Sequence, residues 1–412
     1  MASAFPIIDI AEGAVITPKA SLTYRMCGLQ QSSTPQCRSG LKNVNTMSEA
    51  RGPAVPASRR KHTTGDFARE EVALANRNSG LPLEALRYDV TPVGLHFLLT
   101  HFDVPFVASA EDWRLDIGGR VRTPLSLSHA EVRTFPAKAL RVTLECAGNG
   151  RANVVPRWQT QPWEYGAVGT AEWTGTPLRH LLERAGLEPD AVEVAFFGAD
   201  RGFDAGIEHD FGRSLASVLA MDDDVLVAWA MNGAALPPQH GFPLRLVVPG
   251  WYGMASVKWL RRIEVLAERF DGYQQVANYI YRQQAGDAGT PVTTMRVKSL
   301  MVPPGNPHWY SRRRVVERGP VELVGRAWCG GGVAVVAVQV GVDGIWNEAA
   351  LDPSQGAYAW RSWRYRWDAT PGEQVLECRA TDANGQTQPL DPPWDHNGMG
   401  NNAVQRVHVT VR

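Results

Sequence analysis

No apolar run in this 412-residue chain approaches the roughly 20 residues that a membrane helix requires, so no membrane span is expected. Charge of one sign is missing too. Lys and Arg number 42, as do Asp and Glu, and a nucleic-acid binder would show a basic excess or stripe, so no nucleic-acid partner is expected. Cysteine is scarce: Cys27, Cys37, Cys146, Cys329 and Cys378 are odd in number and thinly spread, which argues against a disulfide framework. Cys27 and Cys37 have nine residues between them and no neighbouring Cys or His, which does not suit zinc. The pattern fits a reducing compartment. No export signal is visible either. Asp9 and Glu12 stand where a basic and then apolar leader would, and Arg59-Arg60 runs into "KHTTGDFARE" instead of an apolar stretch. A cytoplasmic location is expected, with organelle targeting by the tail left open.

What is present is 44% hydrophobic residues, 14 tryptophans and 28 prolines, ample for a core and suggestive of a loop-rich, sheet-containing protein. Residues 1–61 are polar and rich in Ser, Pro and Gly without sustained periodicity, and read as a disordered tail. From Asp66 the chain reads as folded. "WTGTPLRHLLERAGL" carries Leu178, Leu181, Leu182 and Ala185 at helical spacing, with Pro177 suited to the first helical position. "AVEVAFFGA" and "PLRLVVPG" read as short buried strands, interleaved too irregularly for a doubly wound sheet, so the expected class is α+β. A composition break in "IYRQQAGDAGTPVTTMRVKSLMVPPGNP" marks a junction. Beyond it, β-rich runs separated by Gly, Pro and Asn turns predict an immunoglobulin-like β-sandwich. The expected domains are 62–285 and 286–412.

In "LRVTLECAGNGR" a cysteine follows an apolar strand-like run and heads a loop of Gly and Asn. Cys146 alone admits three readings: a half-buried inert thiol, a nucleophile paired with a distant histidine such as His240, or a soft thiolate ligand for a redox-active metal. Three further segments follow in order: "AVGTAEWTGTPLRHLL", "LPPQHGFPLRLVVPGWYGMASVKWLRRIEV" and "WDHNGMGNNAVQRVHV". Together with "TLECAGNGR" they resemble the sulfite oxidase family of molybdenum enzymes, which includes the plant-type nitrate reductases. The resemblance runs from about residue 66 onward and places the sandwich where that family has its dimerisation domain.

The resemblance implies a mixed α+β domain holding one molybdenum cofactor (molybdenum on molybdopterin), with Cys146 as the protein's metal ligand. Gly148 would let the backbone approach the cofactor, and Asn149 suits a turn. For the pterin and its phosphate the matching positions are His240 and Arg245 in "QHGFPLR", Ser256 and Lys258 in "SVKWL", Asp200 in "FFGAD" and His101 in "LLTHFDVP". Each has a plainer reading: snorkelling charges for Arg245 and Lys258, a turn histidine for His240, a turn-capping acid for Asp200.

Departures from the family pattern bear on the substrate. Of three arginines that surround sulfite in the family, Arg151 fills one place, while Leu99 and Asn397 occupy the other two. Charge-assisted hydrogen bonds contribute about 1.5–3 kcal/mol each, so two losses would cost sulfite about two to four orders of magnitude in affinity. Arg157 or His396 could compensate. The family's active-site tyrosine matches Tyr279, with Tyr281 as a competitor and Asn278 where the family has Asp. The expected function is oxygen-atom transfer between water and a small-molecule substrate, with Cys146, Arg151 and Tyr279 at the reacting centre. Alternatives are a nitrate- or sulfoxide-type reductase, a non-catalytic scaffold of the same fold, and a thiol hydrolase. No haem is expected, since no His precedes His62; electrons would pass to a separate acceptor such as a cytochrome or oxygen. A homodimer is expected through the sandwich, where "WRSWRYRWDA" alternates aromatics and arginines in a composition enriched at interfaces, although an edge strand would look the same.

Overall fold

The strand that leads to the cysteine, Lys138–Glu145, begins half exposed and ends in four buried residues. Side chains alternate along it, so Val142 and Leu144 enter one apolar cluster while Thr143 and Glu145 face the other way. It pairs antiparallel with Val168–Pro177, which pairs in turn with Leu226–Met231; Arg245–Val247 also joins Leu226–Met231. A computed structural model provides this description for residues 61–412. The expected disordered tail, apart from Lys61, lies outside the described residues, as do Cys27 and Cys37.

A second five-stranded sheet orders Leu125–Ser128, Arg114–Gly119, Leu260–Leu266, Glu193–Asp204 and Ile207–Ala216, with one parallel pairing, between Leu260–Leu266 and Arg114–Gly119. The helix Leu178–Ala185, which follows directly on strand Val168–Pro177, buries Leu178, Leu181, Leu182 and Ala185, the expected stripe. Pro177 stands one place before it, in extended conformation, because it still pairs with Leu226 in the sheet. The α+β class holds, with strand dominating.

From Lys298 onward two sheets face each other. One orders Lys298–Met301, Gly319–Trp328, Arg361–Ala369 and Ala350–Leu351; the other has six strands running from Asn306–Pro307 to Ile345–Glu348. Val338, Trp363, Trp367, Leu376 and Val409 fill the space between them. This corrects one expectation. The aromatic residues of "WRSWRYRWDA" do not form an outer surface, because Trp363 and Trp367 point into the sandwich's own core and leave Arg364 and Arg366 outside. The strand is also interior to its sheet, with a neighbour on each side.

The two halves share one apolar core. Leu300, Val302, Trp328, Trp360 and Met399 pack in the same cluster as Leu86, Leu115 and Leu244. Hydrogen bonds cross as well: Thr143 N–H donates to Tyr358 O at 2.9 Å, and Trp360 Nε1 to Asp89 O at 2.8 Å. The open edge of the cysteine strand is thereby covered by the C-terminal half.

Candidate active site

Cys146 follows the last strand residue directly, with its N–H donating to Ala167 O at 2.9 Å and its carbonyl accepting from Asn149 N–H at 2.9 Å. Asn149 holds the turn by side chain too, donating to Glu145 Oε1 at 3.0 Å and accepting from Ala167 N–H at 3.0 Å. The thiol is only 6% exposed and packs with Trp163, Ala167 and Leu99. Burial pushes the Cys146 pKa up, while Arg151, the Gly148 N–H and the Trp163 indole pull it down. Burial outweighs them, and with the Glu145 charge adding to it the thiol is held above its ordinary value.

Gly148 has a second reason to be glycine. A Cβ there would lie 2.8 Å from the Arg151 guanidinium, so the bare backbone makes room for the arginine to fold against the loop. Arg151 Nη2 donates to Met399 Sδ at 3.3 Å. Met399 arrives from the C-terminal half.

Cys146, Gly148 and Arg151 line one cavity with Leu99, Thr100, His101, Tyr279 and Met399. A second cavity is lined by His96, Leu99, His101, Asp200, His240, Arg245, Ser256 and Lys258. Leu99 and His101 belong to both, so the two adjoin. Every site residue expected from sequence therefore lines one of two neighbouring cavities. A larger cavity of about 610 Å³ lies beyond Asn78, Gln161 and Trp163, and none of the expected site residues lines it.

In the second cavity the cations are not snorkelling. Arg245 is buried over the Trp173 ring at 4.5 Å and donates to His240 O at 3.0 Å and Ser256 O at 3.1 Å; burial lowers its pKa to about 9. Half-buried Lys258 donates to Leu99 O at 2.9 Å and Gln239 O at 3.0 Å. Desolvation pushes the Lys258 ammonium down, and Arg245 pushes it further in the same direction. Burial pushes the Asp200 carboxyl up, with the Lys258 charge opposing. Asp200 sits within strand Glu193–Asp204, not on a loop, and its Oδ1 has no hydrogen-bond partner among the described residues. His240 is held neutral by burial first, then by His96 and Arg245, down to about 2. Gly241, at φ +105°, is needed behind it, since a Cβ would lie 3.1 Å from Lys258 Cα and Arg245 Cβ.

Tyr279 and Tyr281 part company. The Tyr279 hydroxyl lies 2.7 Å from His101 Nε2 and lines the Cys146 cavity. It caps the π-type turn Gln274–Asn278, a geometry frequent at functional sites. Tyr281 lies under the Arg296 guanidinium, 4.8 Å from its ring, and against Gly400. The two arginine replacements also differ. Leu99 packs beside Cys146, whereas Asn397 Nδ2 donates to Ile280 O at 3.3 Å and its neighbour Met399 reaches the cavity instead. Neither suggested compensator turns inward. Arg157 binds Glu71 Oε2 at 3.0 Å and the carbonyls of Gly65 and Asp66, and His396 pairs by backbone with Arg282 and packs on His62.

Sequence reasoning missed His96, Trp163, Met399 and Asp204. His96 packs edge-on against His240 at 5.5 Å, and its Nε2, like Trp163 Nε1, is buried without a hydrogen-bond partner among the described residues. Buried polar atoms are normally bonded. His96 and Asp200 line one of the two adjoining cavities and Trp163 the other, so polar side chains with unused hydrogen-bonding atoms stand in the walls of both, as suits a polar cofactor.

Two family models match in tandem: an oxidoreductase molybdopterin-binding domain over residues 101–274 and a Mo-co oxidoreductase dimerisation domain over residues 290–412. Fold and site thus define a molybdopterin-type oxidoreductase architecture. The chain belongs to the sulfite oxidase family. It is 34% identical to human mitochondrial sulfite oxidase over 344 residues, covering 78% of this chain and 62% of that protein. It is 32% identical to the NADH nitrate reductase of Solanum lycopersicum over 366 residues, covering 81% of this chain and 40% of that one. The chain thus spans under two thirds of these relatives. Among solved structures, the sulfane dehydrogenase SoxCD from Paracoccus pantotrophus overlays with a TM-score of 0.70 at 26% identity, across 88% of this chain and 95% of that chain.

Proposed function

We propose that this chain is a molybdenum-dependent oxidoreductase that transfers an oxygen atom between water and a small substrate. The observation that carries the reading is the convergence of Cys146, Arg151 and Tyr279 on one cavity that adjoins another holding His240, Arg245, Ser256, Lys258 and Asp200. When bound, the cofactor supplies the two-electron redox and oxo-transfer chemistry. Cys146 ligates the metal through sulfur. His240, Arg245, Ser256, Lys258, Asp200 and His101 hold the pterin. Arg151 orients the substrate electrostatically, and the Tyr279 hydroxyl donates a hydrogen bond beside the reacting oxygen. In the oxidising direction, substrate and water give oxygenated substrate, two protons and two electrons. A separate carrier, such as a cytochrome, or dioxygen takes the electrons, and no haem in this chain is needed.

The cavity favours a substrate less charged than sulfite. Arg151 is the one arginine or lysine lining it among the described residues, and Asp204 lines it as well. Leu99, Phe203, Trp158 and Met399 supply apolar wall. A doubly charged anion gains from one cation and is repelled by one acid, whereas a sulfoxide, a thiol-bound sulfur or a similar neutral group fits. The name of the SoxCD relative, a sulfane dehydrogenase, adds reduced sulfur to these candidates. Running the same transfer in reverse gives the sulfoxide- or nitrate-type reductase reading.

The domain boundaries 62–285 and 286–412 belong to this proposal, as does a homodimer formed through the C-terminal half, supported by its match to the dimerisation domain. A cytoplasmic location is supported by free thiols at Cys146, Cys329 and Cys378. No helix of the described residues is long and apolar enough to cross a membrane.

The deciding experiment measures molybdenum by elemental mass spectrometry, and pterin by fluorescence, in wild type and Cys146→Ser made in a host that builds the cofactor. Molybdenum near one per chain in wild type, lost in the variant with pterin retained, is expected. Wild-type protein carrying neither metal nor pterin would overturn the enzyme reading in favour of a scaffold.

A further inference from the structure

Glu145 precedes the cysteine and points away from Val142 and Leu144, toward the C-terminal half. Its Oε1 accepts from Lys298 Nζ at 2.8 Å and from Asn149 Nδ2 at 3.0 Å, and its Oε2 accepts from Trp328 Nε1 at 2.9 Å. Lys298 donates twice more, to Asn149 O at 3.3 Å and to Asn401 O at 2.7 Å. Asn401 Nδ2 in turn donates to Gly150 O at 2.8 Å. The Lys298 and Glu145 side chains are 2% and 1% exposed, so water contributes little to either.

We propose that Lys298 and Glu145 form a positioning pair through which the C-terminal half fixes the Cys146 loop, an inference that rests on Cys146 being the metal ligand. Stability alone does not account for the pair. Desolvating two charges is costly, and well-packed apolar residues of similar volume often serve a core as well or better. Direction is what an apolar contact cannot supply. The ammonium uses all three of its donors, and they grip the loop on both sides of the cysteine, at the Glu145 carboxylate and the Asn149 carbonyl. Trp328 holds the other carboxylate oxygen, and Asn401 holds Gly150. The segment carrying Cys146 is therefore anchored at residues 145, 149 and 150 by residues 298, 328 and 401. The sulfur is left with little freedom to swing from the cavity.

The test uses full-length protein bearing Glu145→Gln, Lys298→Met or both. In metal-free protein the alkylation rate of Cys146 by iodoacetamide is followed by peptide mass spectrometry, which separates it from the other thiols. In cofactor-loaded protein the molybdenum-to-pterin ratio is measured. Loss of an outer partner of a metal ligand typically costs about 10–100-fold in metal affinity. Each single variant is expected to alkylate about tenfold faster and to lose molybdenum while keeping pterin. The double variant, which leaves no unpaired buried charge, should recover folding stability but not the slow alkylation. Folded single variants with wild-type alkylation rates and wild-type molybdenum-to-pterin ratios would overturn the proposal. If Lys298→Met does not fold, Glu145→Gln decides alone, because it keeps the size of the side chain while removing the charge and one of its two acceptor oxygens. Failure of the underlying reading shows separately, as Cys146→Ser protein that keeps its full molybdenum.

Discussion

Tyr279 and His101 meet at the cavity, hydroxyl to ring Nε2 at 2.7 Å, although 178 positions separate them in the chain. Each is held from behind: the His101 ring stacks on Phe211 at 4.8 Å, and the Arg213 guanidinium lies 5.5 Å from the Tyr279 ring. Burial, with Cys146 adding to it, pushes the Tyr279 phenol well above its ordinary value, so it is a neutral donor at any physiological pH. Tyr279→Phe is expected to lower kcat by about 100-fold with KM little changed, since the ring remains and only the proton donor is lost. Tyr281→Phe serves as the control. Steady-state kinetics in which the two variants behaved alike would assign Tyr279 to packing.

Leu99→Arg returns a cation to the wall beside Cys146. One charge-assisted hydrogen bond at about 1.5–3 kcal/mol corresponds to roughly a 10- to 150-fold gain in sulfite affinity. KM for sulfite should fall by at least the lower figure, while a neutral sulfoxide gains nothing. Asn397→Arg should do less, because Asn397 is turned toward the Ile280 carbonyl. Equal effects on charged and neutral substrates would sink the electrostatic account of the pocket.

His96 makes the fold sensitive to acid. Burial, assisted by the Arg245 charge, lowers its pKa from 6.5 to about 4. The unfolded imidazole takes up a proton near 6.5 and the folded one not until about 4, so between these values the unfolded state binds more protons. Stability is full above pH 6.5 and declines as pH falls toward 4, by about 3 kcal/mol in all. His240, held to about 2, extends the decline in the same direction. Urea midpoints at pH 7 and pH 4.5 should converge for His96→Phe relative to wild type; identical pH slopes would exclude this contribution.

Arg157 and Glu71 form a buried ion pair at 3.0 Å, with side chains 7% and 1% exposed. Arg157→Met strands the Glu71 carboxylate and should cost about 3–5 kcal/mol, whereas adding Glu71→Gln should recover much of it. Chemical denaturation of the two variants measures the difference. Arg157 ties the helix Arg69–Arg77, through Glu71, and the segment before it, through the Gly65 and Asp66 carbonyls, to Arg157–Trp158, so its loss should also raise protease sensitivity around residues 65–71.

Cys146, Arg151 and the cluster of His240, Arg245 and Lys258 were legible in sequence because each sits in a short segment whose order is itself informative. The apolar strand-like run before Cys146 and the helical spacing of Leu178, Leu181, Leu182 and Ala185 were legible for the same local reason. The rest depends on contacts that no window spans. Glu145 and Lys298 lie in different strands, 153 positions apart, and nothing local announces that each answers the other. A lone methionine such as Met399 has no pattern at all. The tryptophan–arginine alternation of Arg361–Ala369 reveals that a strand has two faces but not which one is buried, and Trp363 and Trp367 belong to the sandwich core rather than to an outer surface. Gly148 was read as space for a cofactor, while the structure also shows it giving space to Arg151.

The contact between Arg151 and Met399 joins residues 248 positions apart, and that between Gly150 and Asn401 joins residues 251 apart. On a ribosome, the cysteine loop therefore emerges long before the residues that seat it. At typical elongation rates of about 5–20 residues per second, the gap lasts roughly 10–50 seconds. Throughout that interval Arg151 lacks its sulfur partner and Gly150 its amide, so the thiol stands in an unfinished pocket. The walls around the thiol are complete only once the C-terminal segment has been made.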